Sequence, residues 1–270
     1  MLYPLFTTKI SVGATLSRFF SIIPCTCILL LSFSGIAQVD TISIQRHSLN
    51  TSYLKEGNNQ YVCYNKDSAG KLSYLIVWER KVSFEKWKGR DVIIVSQRGS
   101  FEDSNRNTTE YTVSDRHTFQ TIYHRRVRKT GVEAFNYDDN HVEGADTVPQ
   151  NTKKGFSLQF TNTPYNWELD LETLGMLPMK KIGEKMAICF YLPGKNALPR
   201  YYTIEVTGDE KLPAVNGMVI DCRVIRLTFD KDNYDLLWYS KEGHEFLKME
   251  SCSPEGVFNK VKLFSSMQRL

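Results

Sequence analysis

The sequence lacks most of the signatures from which an activity is usually read. It has no G-x-x-x-x-G-K-[ST] or G-x-G-x-x-G run, so the glycine cradle for nucleotide phosphates is missing. It has no G-x-S-x-G elbow, and so no strained turn presenting a serine nucleophile. The five histidines (His47, His117, His124, His141, His244) include no H-x-x-x-H or H-E-x-x-H pair, and the cysteines include no C-x-x-C. These absences remove support for a zincin or a thioredoxin-like redox site. Charge of one sign is also scarce. A net +4 over 270 residues, with a pI of 8.6, falls short of the clustered basicity of a nucleic-acid binder. Sixteen Gly and nine Pro leave no low-complexity stretch or linker, and no repeat or composition step marks a second domain.

The longest apolar run lies at the start. Residues 1–37 contain Lys9 and Arg18 and no acid, and an apolar stretch from Phe19 ends in Gly35-Ile36-Ala37. A basic segment, an apolar segment and a small-x-small end predict a secretory signal peptide cut after Ala37. The stretch is interrupted by Pro24 and is marginal against the ~20 apolar residues a membrane span needs. No Cys directly follows a small-residue tripeptide in the pattern a lipid anchor requires. The expected domains are therefore 1–37, removed on export, and 38–270, one β-rich domain. The latter carries 32 basic and 30 acidic side chains, a balance of +2. The expected location is the periplasm or the periphery of the outer membrane, with membrane contact peripheral at most.

Export leaves four cysteines, Cys63, Cys189, Cys222 and Cys252. An oxidising compartment permits up to two disulfides among them, and buried free thiols are the alternative. Alternation of apolar and polar residues predicts antiparallel strands. Ile76, Trp78, Val82 and Phe84 share a face with Leu72, Tyr74 and an intruding Arg80. Phe156, Leu158 and Phe160 alternate with polar residues, as do Tyr202, Ile204 and Val206. Nine turn clusters imply about ten to twelve strands, more than one open sheet leaves unprotected, so a barrel-like or two-sheet architecture is expected. One segment differs. Trp167, Leu171 and Leu174 stand at i, i+4 and i+7, Asn166 can cap the start and Gly175 can end it, which predicts a short helix near 166–175, over the sheet or in a barrel mouth. The fold class is all-β with this minor helix.

Asp138-Asp139-Asn140-His141-Val142-Glu143 is the densest polar group and reads as a hairpin tip rather than a metal site. His124-Arg125-Arg126-Val127-Arg128-Lys129 reads as a solvated strand end. Tyr74, Trp78, Trp167, Tyr202 and Trp238 have the character of a cavity lining, with core and rim packing as the plainer role. Arg80 is either paired inside the barrel or at a rim where the strand bends. No catalytic residue, cofactor or metal is called for.

The order of several short motifs resembles the DUF3108-type exported bacterial proteins. They are Trp78-Glu79-Arg80, Asp115-Arg116-His117-Thr118-Phe119, Phe135-Asn136-Tyr137, Leu177-Pro178, Tyr202 to Glu210, Asp221-Cys222-Arg223-Val224 and Leu237 to Lys241. Arg223 stands where an aromatic is expected after the Asp-Cys pair. The resemblance implies an all-β, barrel-like envelope protein with no established activity. The leading expectation is a non-catalytic binding module for an apolar or lipid-like ligand, with Tyr74, Trp78, Arg80, Trp167, Tyr202 and Trp238 around it. An envelope scaffold with a protein partner is second, and a hydrolase, built on close carboxylates or a Ser–His pair, third.

Overall fold

The computed structural model describes residues 39–214 and 217–266, so the expected signal peptide lies outside the described residues. Among the described residues sixteen strands are formed rather than ten to twelve. They are β1 Asp40–Ile42, β2 Gly57–Asp67, β3 Leu72–Trp87, β4 Arg90–Phe101, β5 Thr108–Asp115, β6 Thr121–Arg128, β7 Gly131–Tyr137 and β8 His141–Gly144. Then follow β9 Ser157–Gln159, β10 Tyr165–Asn166, β11 Lys185–Tyr191, β12 Arg200–Pro213, β13 Val219–Thr228, β14 Tyr234–Ser240, β15 Phe246–Ser253 and β16 Gly256–Ser266. The surplus comes from two- and three-residue strands such as β1, β9 and β10, too short to leave a periodic signal.

All sixteen belong to one sheet, in the order β1-β11-β12-β13-β14-β15-β16-β2-β3-β4-β5-β6-β7-β8-β9, with β10 also on β11. Pairing is antiparallel throughout except where β1 and β10 run parallel to β11. The sheet curls without closing, since no ladder joins β9 to β1 or β10 among the described residues. Side chains bridge its two ends instead. Phe160 packs on Tyr191 with ring centroids 5.0 Å apart, Lys153 Nζ donates to the Gly194 carbonyl at 3.2 Å, and Gln45 Nε2 donates to Thr163 Oγ1 at 2.8 Å. A curl of this kind shields the backbone edges that a flat sheet would leave open.

The concave face is filled. Residues from β2, β3, β4 and β11–β15 form one buried cluster with the segment 169–179. That segment enters as a 3-10 turn, Trp167–Leu169, and continues as the helix α1, Asp170–Gly175. Asn166 caps the turn, its Oδ1 accepting from the Glu168 N–H at 2.9 Å, as the sequence suggests. Leu169, Leu171, Leu174, Met176 and Leu177 are each 3% exposed or less. Burying five such side chains is worth roughly 1.5–3 kcal/mol each before ordering costs. Gly175 is required by close approach, because a Cβ there would lie 2.9 Å from the His244 carbonyl and 3.2 Å from the Tyr239 ring. The helix therefore occupies the interior that a hollow barrel would offer to a ligand.

Candidate functional site

Strand register builds a polar row across the concave face. Arg80 on β3 stands opposite Gln97 on β4, Gln97 opposite Glu110 on β5, Glu110 opposite Arg126 on β6, and Arg126 opposite Glu133 on β7. The first four are each 5% exposed or less. Arg126 Nε donates to Glu110 Oε1 at 2.9 Å and its Nη1 to Glu133 Oε2 at 3.1 Å. Its Nη2 donates to Glu168 on the incoming turn. Gln97 links two layers, accepting from Trp78 Nε1 at 2.9 Å and donating Nε2 to the Glu168 carbonyl at 2.8 Å. The Trp78 ring lies over Gly99, where a Cβ would come within 2.4 Å of it.

Arg80 completes the connection to the helix. Its Nη2 donates to the Glu168 carbonyl at 2.5 Å and meets Glu172 Oε2 at 2.8 Å, a charge contact without hydrogen-bond alignment. Asp170 Oδ1 lies 3.6 Å from Nη1. Burial disfavours the charge on Arg80, but Glu172 and Asp170 outweigh it and hold the guanidinium above its ordinary pKa. Burial raises the Glu172 carboxyl, against the pull of Arg80. In the next row, His124 Nδ1 is 2.9 Å from Thr112 Oγ1. Burial, then the charges of Arg126 and Arg128, push its pKa well below the histidine range, so the ring stays neutral. Asp235 on β14 is a buried acid that makes no ion pair among the described residues, with Lys260 acting on it weakly. Burial raises it to about 6, Ser251 opposing and Asp170 reinforcing the shift.

The six expected ligand residues are not gathered into one place. Trp78 and Arg80 join the polar row, which settles Arg80 as a buried, paired side chain. Trp167 and Tyr202 meet with ring centroids 4.8 Å apart beside Phe190 and Phe229. Tyr74 leaves the face of Ile76. Its φ of 64° and the register shift on β2 between Cys63 and Asn65 break the alternation, and the ring is 39% exposed under Arg106. Trp238 points to the convex face, with Cys222 and Val224, and donates Nε1 to Glu210 Oε2 at 2.8 Å. All four described cysteines are free thiols. Cys63 belongs to the concave cluster and Cys222 to the convex one, so the sheet itself separates them.

The run 124–129 corrects its sequence reading. Arg125 and Arg128 are exposed, but His124 and Arg126 turn inward and are buried. Glu110, Glu133 and Glu172 escaped sequence reasoning; the only signal for Glu110 is alternation at 108–114, where the polar residues rather than Tyr111 and Val113 face inward. The hairpin at Asp138–Asn140 forms as expected between β7 and β8.

Chemically, the polar row is a structural clamp: its charged groups are consumed by one another and by the helix. Arg126→Ala leaves the buried Glu110 and the half-buried Glu168 without their cation and is expected to cost about 3–5 kcal/mol. Arg128→Ala, half-exposed and 3.8 Å from Glu133, is expected to cost under about 1 kcal/mol. Urea unfolding of both variants checks this, and equal losses contradict it. The raised Asp235 binds its proton more tightly folded than unfolded, so its ionisation lowers stability as pH rises from about 4 through about 6. Asp235→Asn is expected to raise Tm at pH 7.5, by up to about 3 kcal/mol in stability, and to leave it unchanged near pH 4. A gain of the same size at both pH values contradicts this.

A β-barrel-like protein of the domain of unknown function DUF1849 from Brucella abortus is similar, at 8% identity and a TM-score of 0.48, over 78% of this chain and 97% of that one. A DUF1329 family protein from Desulfovibrio piger is similar at 10% identity and a TM-score of 0.30, over 84% and 90%. No curated protein matches the sequence. The model of the DUF3108 family, proteins of unknown function, matches residues 73–259, and with more than half of its length matched the chain belongs to that family.

Proposed function

We propose that the chain is a non-catalytic binding module of the cell envelope, exported by residues 1–37, that holds an apolar, lipid-like ligand at the edge of its curl. The filled concave face argues against a ligand enclosed at its centre. The observation that carries the reading is the aromatic group at Trp167. Its ring packs 4.7 Å from Phe190, 4.8 Å from Tyr202 and 5.9 Å from Phe229, centroid to centroid. Phe190 is buried, whereas Trp167, Tyr202 and Phe229 are half-buried. The Arg200 guanidinium lies 4.7 Å from the Tyr202 ring centroid and donates to the Phe229 carbonyl at 3.2 Å. Aromatic surface with a cation at its rim suits an acyl chain with an anionic head. The packed interior favours the second reading, an envelope scaffold that meets a protein partner and no small ligand.

A brominated long-chain fatty acid separates the two by quenching tryptophan fluorescence. Saturable quenching that is largely lost in Trp167→Phe is the expected outcome, Trp238 on the convex face being unaffected. Quenching that does not saturate, or that persists in Trp167→Phe, contradicts the ligand reading and leaves the scaffold.

A further inference from the structure

The convex face of β3–β6 carries a second surface, independent of the aromatic group at Trp167. Trp87, Tyr111 and Tyr123 cover Val92, Ile94 and Val113 there. Trp87 and Tyr123 stack, with centroids 5.9 Å apart and planes 22° apart, and Tyr111 lies 6.3 Å and 6.4 Å from them. All three rings are half-buried and form one aromatic patch on this face. The indole N–H and both phenol hydroxyls make no hydrogen bond among the described residues.

Cations surround this platform. Lys81, Ser96, Tyr111 and Arg125 stand opposite one another in one cross-strand row. Arg98 stands in the next row, opposite Glu79 and Thr109. Lys88 Nζ lies 5.9 Å from the centroid of the Trp87 ring. Lys81, Lys88, Arg98 and Arg125 are exposed and none makes an ion pair among the described residues. The acids on this face are Glu79, which accepts from Gln60, and Glu85, which accepts from Ser83. At the strand ends Arg90 and Asp115 balance each other in charge. The face is therefore net positive, aromatic and rich in unpaired donors, in a chain whose overall charge is close to neutral.

We infer that this face binds an acidic polysaccharide. The C–H face of a pyranose ring stacks on an aromatic plane, as other flat apolar surfaces do. Uronate carboxylates meet the unpaired Lys and Arg side chains, and sugar hydroxyls meet the Tyr hydroxyls and Ser96. A lipid bilayer fits less well, because interfacial binding buries projecting apolar side chains and these rings are half-buried against one another. A single nucleic-acid strand needs a cationic groove along its backbone, and the surface here is a sheet face with two carboxylates in it.

Native gel electrophoresis through polygalacturonate tests the proposal, with dextran as the neutral control. The wild-type chain is expected to be retarded by polygalacturonate and not by dextran. The exposed double variant Lys81→Gln/Arg125→Gln is expected to bind roughly fivefold more weakly or worse. Lys211→Gln/Lys231→Gln removes the same charge from another region, where each lysine has a surface acid partner, and is expected to bind like wild type. Near-UV circular dichroism confirms that each variant is folded. Absence of retardation, equal weakening in both variants, or preferential binding to phosphatidylglycerol vesicles or a thymidine oligonucleotide overturns the proposal.

Discussion

Arg80 and Arg126 sit on the concave face of the sheet with 2% and 4% of their surface exposed, and a guanidinium is stable there only if acids meet it. The acids come from two directions. Glu110 and Glu133 arrive by strand register, and Glu168, Asp170 and Glu172 arrive on the segment that enters the curl. Satisfying the two arginines therefore fixes both the pairing of β3 through β7 and the depth of the helix. The apolar burial of Leu169, Leu171 and Leu174 supplies attraction without direction, and the polar row supplies the direction. Other sites reinforce that seat, among them the Tyr239 hydroxyl on the Leu171 carbonyl at 3.1 Å and His244 Nδ1 3.0 Å from the Gly175 carbonyl.

This division of labour sets which surfaces are left unpaired. The concave face is committed to the helix and its clamp, so the surfaces that remain unpaired lie at its edge and on the convex side. The Trp167 group is half-open at the edge. The Trp87 platform and its cations lie on the side of the sheet that the helix never touches. Under the proposed reading, the surface recognises the ligand and the interior holds that surface still.

Much of the fold was legible in the sequence, and the reasons it stopped being legible are physical. The short helix was visible from Trp167, Leu171, Leu174 and the Asn166 cap, because those signals are local. The strands around Phe156–Phe160 and Tyr202–Val206 were visible because period-two alternation is local as well. Arg80 stood out, but its partners lie some ninety residues away and depend on register, which alternation does not encode. The inward turn of His124 and Arg126 was hidden for the same reason: alternation gives two faces to a strand and does not say which is buried. Trp238 shows the limit most plainly. It alternates with Leu237 and Tyr239, so an aromatic count cannot tell that two point inward and it points out.

The central claim is that the helix is a seated, structural part of the interior rather than a lid over it. Hydrogen–deuterium exchange resolved to residues 169–176 tests this most directly. The account predicts that these amides exchange as slowly as those of the central strand β4, opening only with the whole domain. Rapid exchange across 169–176 while β4 stays protected would contradict it, because the helix would then leave its seat without unfolding the sheet.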